Sequence, residues 1–115
     1  MARLIYKIVP EALWRTAEAL AEFDGAPVDL ADGYMHFSTA EQVRETAAKH
    51  FAGQRDLLLL TVEAERLGEA LKWEPSRGGD LFPHLYGKLQ LADVLRVDKL
   101  PLREDGTHDF SGLVP

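Results

Sequence analysis

The stretch Asp56-Leu57-Leu58-Leu59-Leu60-Thr61-Val62-Glu63 constrains this chain more than any other. Its four consecutive leucines leave no polar face, so the segment needs apolar neighbours on both sides. A buried helix would also meet that demand. However, Gly53 stands just before the run and Thr61-Val62 are β-branched, which favours a strand. The chain must therefore build a sheet covered on both faces, with this strand inside it. A second apolar run, Leu4-Ile5-Tyr6-Lys7-Ile8-Val9, carries a single charge and reads as another buried or half-buried strand.

Helical and turn signals separate these strands. Pro10 suits the first turn of a helix, and residues 11–23 set Leu13, Trp14, Ala17, Leu20 and Ala21 on one stripe before Asp24-Gly25 ends it. Residues 26–31, with Pro27 and Asp29, read as a loop. The turn pair Asp32-Gly33 opens a short strand over 34–37. Ser38-Thr39-Ala40-Glu41 has the S-x-x-E form of a capping box, so a second helix is expected from Ser38. Its stripe would be Ala40, Val43, Ala47 and Phe51, with Gly53 as its stop. Further strands are expected over 70–74 and 94–100. Residues 75–80 read as a flexible loop, 81–87 as irregular because of Pro83 and Gly87, and 101–115 as a tail with Phe110 as an anchor. The order is roughly βαβαβββ. It predicts one α+β domain over 1–115, a compact mixed sheet with two main helices.

Composition narrows the function. There is no cysteine among the 115 residues, which removes disulfides, thiolate catalysis and Cys-type zinc sites. The formal charge of −6 disfavours bulk nucleic-acid binding. Lys49, His50, Arg55 and Arg77 are the candidates for a local basic patch. The apolar run near Met1 is too short for a signal segment or a membrane span, so a soluble, cytoplasmic protein is expected.

Two segments concentrate chemistry. In the first, His36, Ser38 and Thr39 sit at the expected strand-to-helix junction, where unpaired N–H groups favour anions. His36 suits acid–base work or hydrogen bonding to a ribose or phosphate. Ser38 lacks the G-x-S-x-G elbow of a hydrolase and reads foremost as a cap. Gln42 and Thr46 lie on a neighbouring helical stripe and would border the same site. The second segment is Phe82-Pro83-His84-Leu85-Tyr86-Gly87. His84 and Tyr86 project to one side of an extended chain, a spacing that suits hydrogen bonding and stacking on a planar ligand. Glu74 is a candidate general base or ribose-binding carboxylate. The four histidines include no H-x-x-x-H pair, so no metal site is expected. Gly78-Gly79 lacks the G-x-x-x-x-G-K phosphate-loop pattern.

These blocks carry a resemblance. Ile5-Tyr6-Lys7-Ile8, Trp14, Asp32-Gly33-Tyr34-Met35-His36-Phe37-Ser38-Thr39, the 57–62 strand, Lys72-Trp73-Glu74 and residues 77–89 resemble the bacterial family catalogued as domain of unknown function 952. That resemblance implies an ADP-ribosyltransferase-like fold, with RNA 2′-phosphotransferases as the nearest likeness. It also implies a transferase acting on NAD, ADP-ribose or a phosphorylated ribose, with His36, His84 and Glu74 as catalytic candidates. Ser38, Thr39, Gln42 and Tyr86 would bind the ligand. The chain departs from that pattern. Tyr6-Lys7 stands in the first strand where such transferases usually carry a histidine or arginine, and the phosphotransferases' arginine and histidine set is not reproduced. Fold and chemistry are separable. A non-catalytic nucleotide or metabolite module, and a protein-interaction domain with an exposed aromatic block, stay open beside the enzyme.

Overall fold

The computed structural model describes residues 3–115 and, at Arg77, the backbone alone. The Arg77 member of the expected basic patch therefore lies outside the described side chains. In chain order come β1 (Leu4–Pro10), α1 (Glu11–Leu20), β2 (Glu22–Phe23), α2 (Pro27–Asp32), β3 (Met35–His36), β4 (Ser38–Thr39) and α3 (Val43–His50). They are followed by β5 (Leu57–Glu63), β6 (Leu71–Ser76), β7 (Asp80–Leu85), β8 (Leu89–Gln90) and β9 (Val94–Leu100), with 3₁₀ segments joining β5 to β6, β6 to β7 and β8 to β9.

All strand pairs are antiparallel. One sheet runs β4-β1-β5-β9, a second runs β3-β7-β6, and β2 pairs with β8. The four leucines lie inside the first sheet and are buried on both faces, as their sequence requires. Leu58, Leu60 and Val62 join Ile5, Trp14 and Met35 in one core. Leu57 and Leu59 point the other way, into a second core with Tyr6, Val43 and Phe110. The mixed α+β expectation holds, with α1 and α3 as the two longer helices.

Several local expectations are corrected. Ser38 does not begin a helix. It lies in β4 opposite Tyr6, and α3 starts at Val43 with Gln42 preceding it. Edge pairing with β1 outcompetes the capping-box pattern, because it buries both residues of β4. α1 stops at Leu20, since Ala21 takes a left-handed conformation (φ 62°) and Glu22-Phe23 turn into β2. Residues 26–31 are not a loop but lie almost wholly within α2, with Pro27 in its first turn. Residues 81–87 are ordered chiefly as β7, the middle strand of its sheet. Pro83 is tolerated there because its carbonyl, and so its missing N–H, faces Phe37, where β3 has already ended. Of the flexible loop expected over 75–80, only Arg77–Gly79 is a connection, a short 3₁₀ turn; Pro75 and Ser76 belong to β6 and Asp80 to β7. The C-terminal segment is not a loose tail, because Phe110, Val114 and His108 are all buried.

Candidate functional site

The alternation of β3 and β7 sorts their side chains. Met35 and Leu85 pair in register and face the core, so His36 and His84, paired one step along, face the opposite way. Their rings stand 5.6 Å apart. Tyr34 packs against both, with centroids 4.8 Å from His36 and 4.2 Å from His84, and 5.3 Å from the Tyr86 ring. His36, His84, Tyr34 and Ser38 line one cleft of about 630 Å³, together with Lys7, Asp29 and Asp32.

A buried charge cluster forms part of its wall. Lys7 is the single charge in β1, and it is 5% exposed. Its ammonium meets Asp29 Oδ2 at 2.9 Å and donates to the His36 carbonyl at 2.9 Å. Asp29 Oδ1 accepts from His36 Nδ1 at 2.6 Å and from the His36 backbone N–H at 3.0 Å. Burial alone would raise the Asp29 carboxyl. The hydrogen bond from His36 and the Lys7 charge outweigh it and hold the carboxyl well below the usual range. Burial lowers Lys7, with Asp29 acting against that shift. His36 Nε2 faces Asp32 Oδ2 at 2.9 Å. A ring between two carboxylates satisfies both only with a proton on each nitrogen.

His84 is arranged differently. Its Nδ1 donates to Glu74 Oε1 at 2.8 Å, and the Tyr86 hydroxyl donates to the same oxygen at 2.7 Å. These two bonds lower the Glu74 carboxyl, and the Glu74 bond raises the Tyr86 phenol. A carboxylate on Nδ1 fixes the tautomer and leaves Nε2 as the proton acceptor. The His84 side chain is almost completely buried, while that of Glu74 is 38% exposed. The pair therefore couples a sheltered imidazole to an accessible carboxylate.

The remaining sequence candidates divide. Ser38 meets Thr46 hydroxyl to hydroxyl at 2.9 Å, and both line the cleft. Thr39, Gln42, Glu74 and Tyr86 do not line it, and Glu74 reaches it only through His84. Gln42 accepts from the Thr39 N–H and donates to the Leu81 carbonyl, which ties α3 to β7. Sequence reasoning passed over Asp29, Asp32, Tyr34 and Lys7 as site residues. A signal for the Lys7 pair was present, since a lone lysine in an apolar strand demands a buried carboxylate. A larger hollow of about 890 Å³ lies between α3 and the C-terminal segment. Its buried histidine, His108, is tied to the Gln54 carbonyl. Arg44, Arg103 and Asp105 also line that hollow, but His36 and His84 lie on the smaller cleft. Among the described residues no trio of His, Asp or Glu is disposed to hold a metal ion.

A family model described as "Protein of unknown function (DUF952)" matches residues 8–97. The chain belongs to the DUF952 family. Both site histidines, Asp29 and Glu74 fall within the matched span. The crystal structure of protein CC0527 from Caulobacter crescentus is similar to this DUF952 chain. It is 55% identical, with a TM-score of 0.91 over 94% of this chain and 95% of that one. The solution NMR structure of CC0527 is also 55% identical, with a TM-score of 0.85 over 94% and 93%. No curated protein matches the chain. Among the described residues no helix is long and apolar enough to cross a membrane.

Proposed function

We propose that the cleft receives the ribose of a nucleotide (NAD, ADP-ribose or a phosphorylated ribose), and that the domain is an ADP-ribosyltransferase-like transferase. One observation carries this reading: His36 and His84 oppose each other across β3 and β7 on one cleft wall, beneath the ring of Tyr34. Tyr34 offers aromatic surface to a planar base in the cleft, and Tyr86 packs beside it at 5.3 Å, outside the cleft lining. Asp32, 44% exposed at its side chain, is suited to accept from ribose hydroxyls. His84, oriented by Glu74, is the proton acceptor. With NAD, the bond from C1′ to the nicotinamide nitrogen breaks and its electron pair leaves with nicotinamide. An acceptor oxygen or nitrogen bonds to C1′ and yields its proton to His84 Nε2.

A second reading, a binding module without turnover, is favoured by the state of His36. Both of its ring nitrogens are engaged by carboxylates, so neither is free to accept a proton.

Thermal shift against NAD, ADP-ribose, nicotinamide and 2′-phosphorylated ribose compounds, joined to an assay of nicotinamide release, tests both. Stabilisation with release, and release reduced about 10²–10⁴-fold in His84→Gln, is expected for the transferase. Stabilisation lost in His36→Ala, with no release, is the module's result. An unchanged melting temperature with every ligand would remove the cleft assignment itself.

A further inference from the structure

We propose that β9 is a self-association edge, through which two copies of this chain pair antiparallel about a two-fold axis at Val97. β9 closes one end of the four-stranded sheet, with β5 on one side and, among the described residues, no strand on the other. An edge strand presents unpaired N–H and C=O groups. Leu95 and Val97, 51% and 41% exposed, stand on this edge.

The sequence Val94-Leu95-Arg96-Val97-Asp98-Lys99-Leu100 selects the register. A two-fold axis normal to the sheet keeps each side chain on its own face, so it must pass through a residue. Placed at Val97, it sets Arg96 opposite the partner's Asp98, and Asp98 opposite the partner's Arg96. It also sets Val97 against the partner's Val97. Moved to Arg96 or Asp98, the axis brings like charges face to face, which is unfavourable in directly opposed pairs. Of the axes at Arg96, Val97 and Asp98, charge admits only the one at Val97. Arg96 and Asp98 already share a face, paired at 3.1 Å within the strand, so pairing extends an existing ion pair into a network of four charges.

The edge also carries features that limit pairing. Leu95 is the extra residue of a bulge opposite Thr61/Val62, and Pro101 follows the strand. Lysine and bulges blunt promiscuous edges. The contact is consequently short, and the expected dimer is weak and reversible.

Sedimentation equilibrium on the full chain over a wide concentration range tests this. The wild type is expected to move from the mass of one chain to that of two. Val97→Glu, which puts two carboxylates on the axis, should weaken association by about tenfold or more. Arg96→Asp and Asp98→Arg should each be monomeric alone, yet associate when mixed, since the mixture restores both opposite-charge pairs. Recovery on mixing also excludes misfolding as the cause of either loss. A wild type that stays at one chain's mass throughout would overturn the proposal. So would association undiminished in Val97→Glu, which would locate the contact on another surface.

Discussion

The carboxylate of Asp29 grips His36 twice, taking the ring N–H at 2.6 Å and the backbone N–H at 3.0 Å. Its other oxygen takes the Lys7 ammonium at 2.9 Å and the Ala26 N–H at 2.8 Å. One buried side chain thereby joins β1, α2 and β3, and fixes the wall on which His36 stands. Removal of either charge leaves the other buried and uncompensated, and that cost exceeds what the intact pair contributes.

Asp29→Asn is expected to cost about 3–5 kcal/mol, the range for breaking a buried ion pair by removing one partner. The amide cannot neutralise Lys7 and presents a donor among donors. Urea unfolding measures the loss. Lys7→Met should cost less, because Asp29 keeps its three N–H partners. Equal stability of Asp29→Asn and wild type would show that the cluster does not hold α2 in place.

Acid should weaken the fold through the same carboxyl. Its folded pKa is depressed below the unfolded value. The unfolded chain therefore binds the proton first, and stability falls as pH drops. The contribution is fully present above about pH 5 and declines steadily below about pH 4, where unfolded aspartates titrate. Unfolding midpoints followed from neutral to acid pH should show this slope, and Asp29→Asn should flatten it. A variant with the wild-type slope would assign the acid sensitivity to other carboxyls.

Gly25 supports Asp29 from behind. Its φ is +121°, and a Cβ built there would lie 2.8 Å from Asp29 Cβ, the rigid stem of a packed side chain. Gly25→Ala should therefore strain the backbone, displace Asp29 and shift the His36 ring resonances in an NMR spectrum. Gly33, φ +84°, has nothing within 4 Å of such a Cβ. Gly33→Ala should cost only the left-handed penalty of about 1–2 kcal/mol and leave the His36 resonances in place. Matching spectra for the two variants would contradict this account of Gly25.

Phe110 anchors the C-terminal segment. It is 5% exposed within the core built on Tyr6, Leu59 and Val43, and the Arg44 guanidinium lies 5.5 Å from its ring. Phe110→Ala is expected to cost about 3–5 kcal/mol, as for a phenylalanine deleted from a core. Chemical denaturation measures it. A loss comparable to that of an exposed-site substitution would return this segment to the status of a tail.

The sequence showed some elements and concealed others for identifiable reasons. The 57–62 run was plain because no polar residue interrupts it. β9 was visible for its full length, since Val94–Leu100 is bounded by a turn and Pro101. Ser38 misled because S-x-x-E is a local pattern, whereas β4 exists only through its contact with β1, more than thirty residues distant in sequence. β7 was hidden by Pro83, since the rule against proline in a central strand assumes a neighbour that continues, and β3 does not. α2 was missed because six residues bounded by proline and glycine look like a loop until Asp29 is seen to bond the Ala26 N–H.

By itself the sequence determined the covered central strand, the mixed α+β character, and the two short segments that carry His36 and His84. Those are local properties, written in hydrophobic pattern and residue type. Tertiary structure decided what each histidine faces. Register across β3 and β7 set the rings 5.6 Å apart. Long-range partners then gave His36 two carboxylates and His84 one, with Nε2 left as acceptor. A ring's chemistry depends on the charges beside it, and those charges arrive from α2 and β6, segments that only folding brings to the cleft.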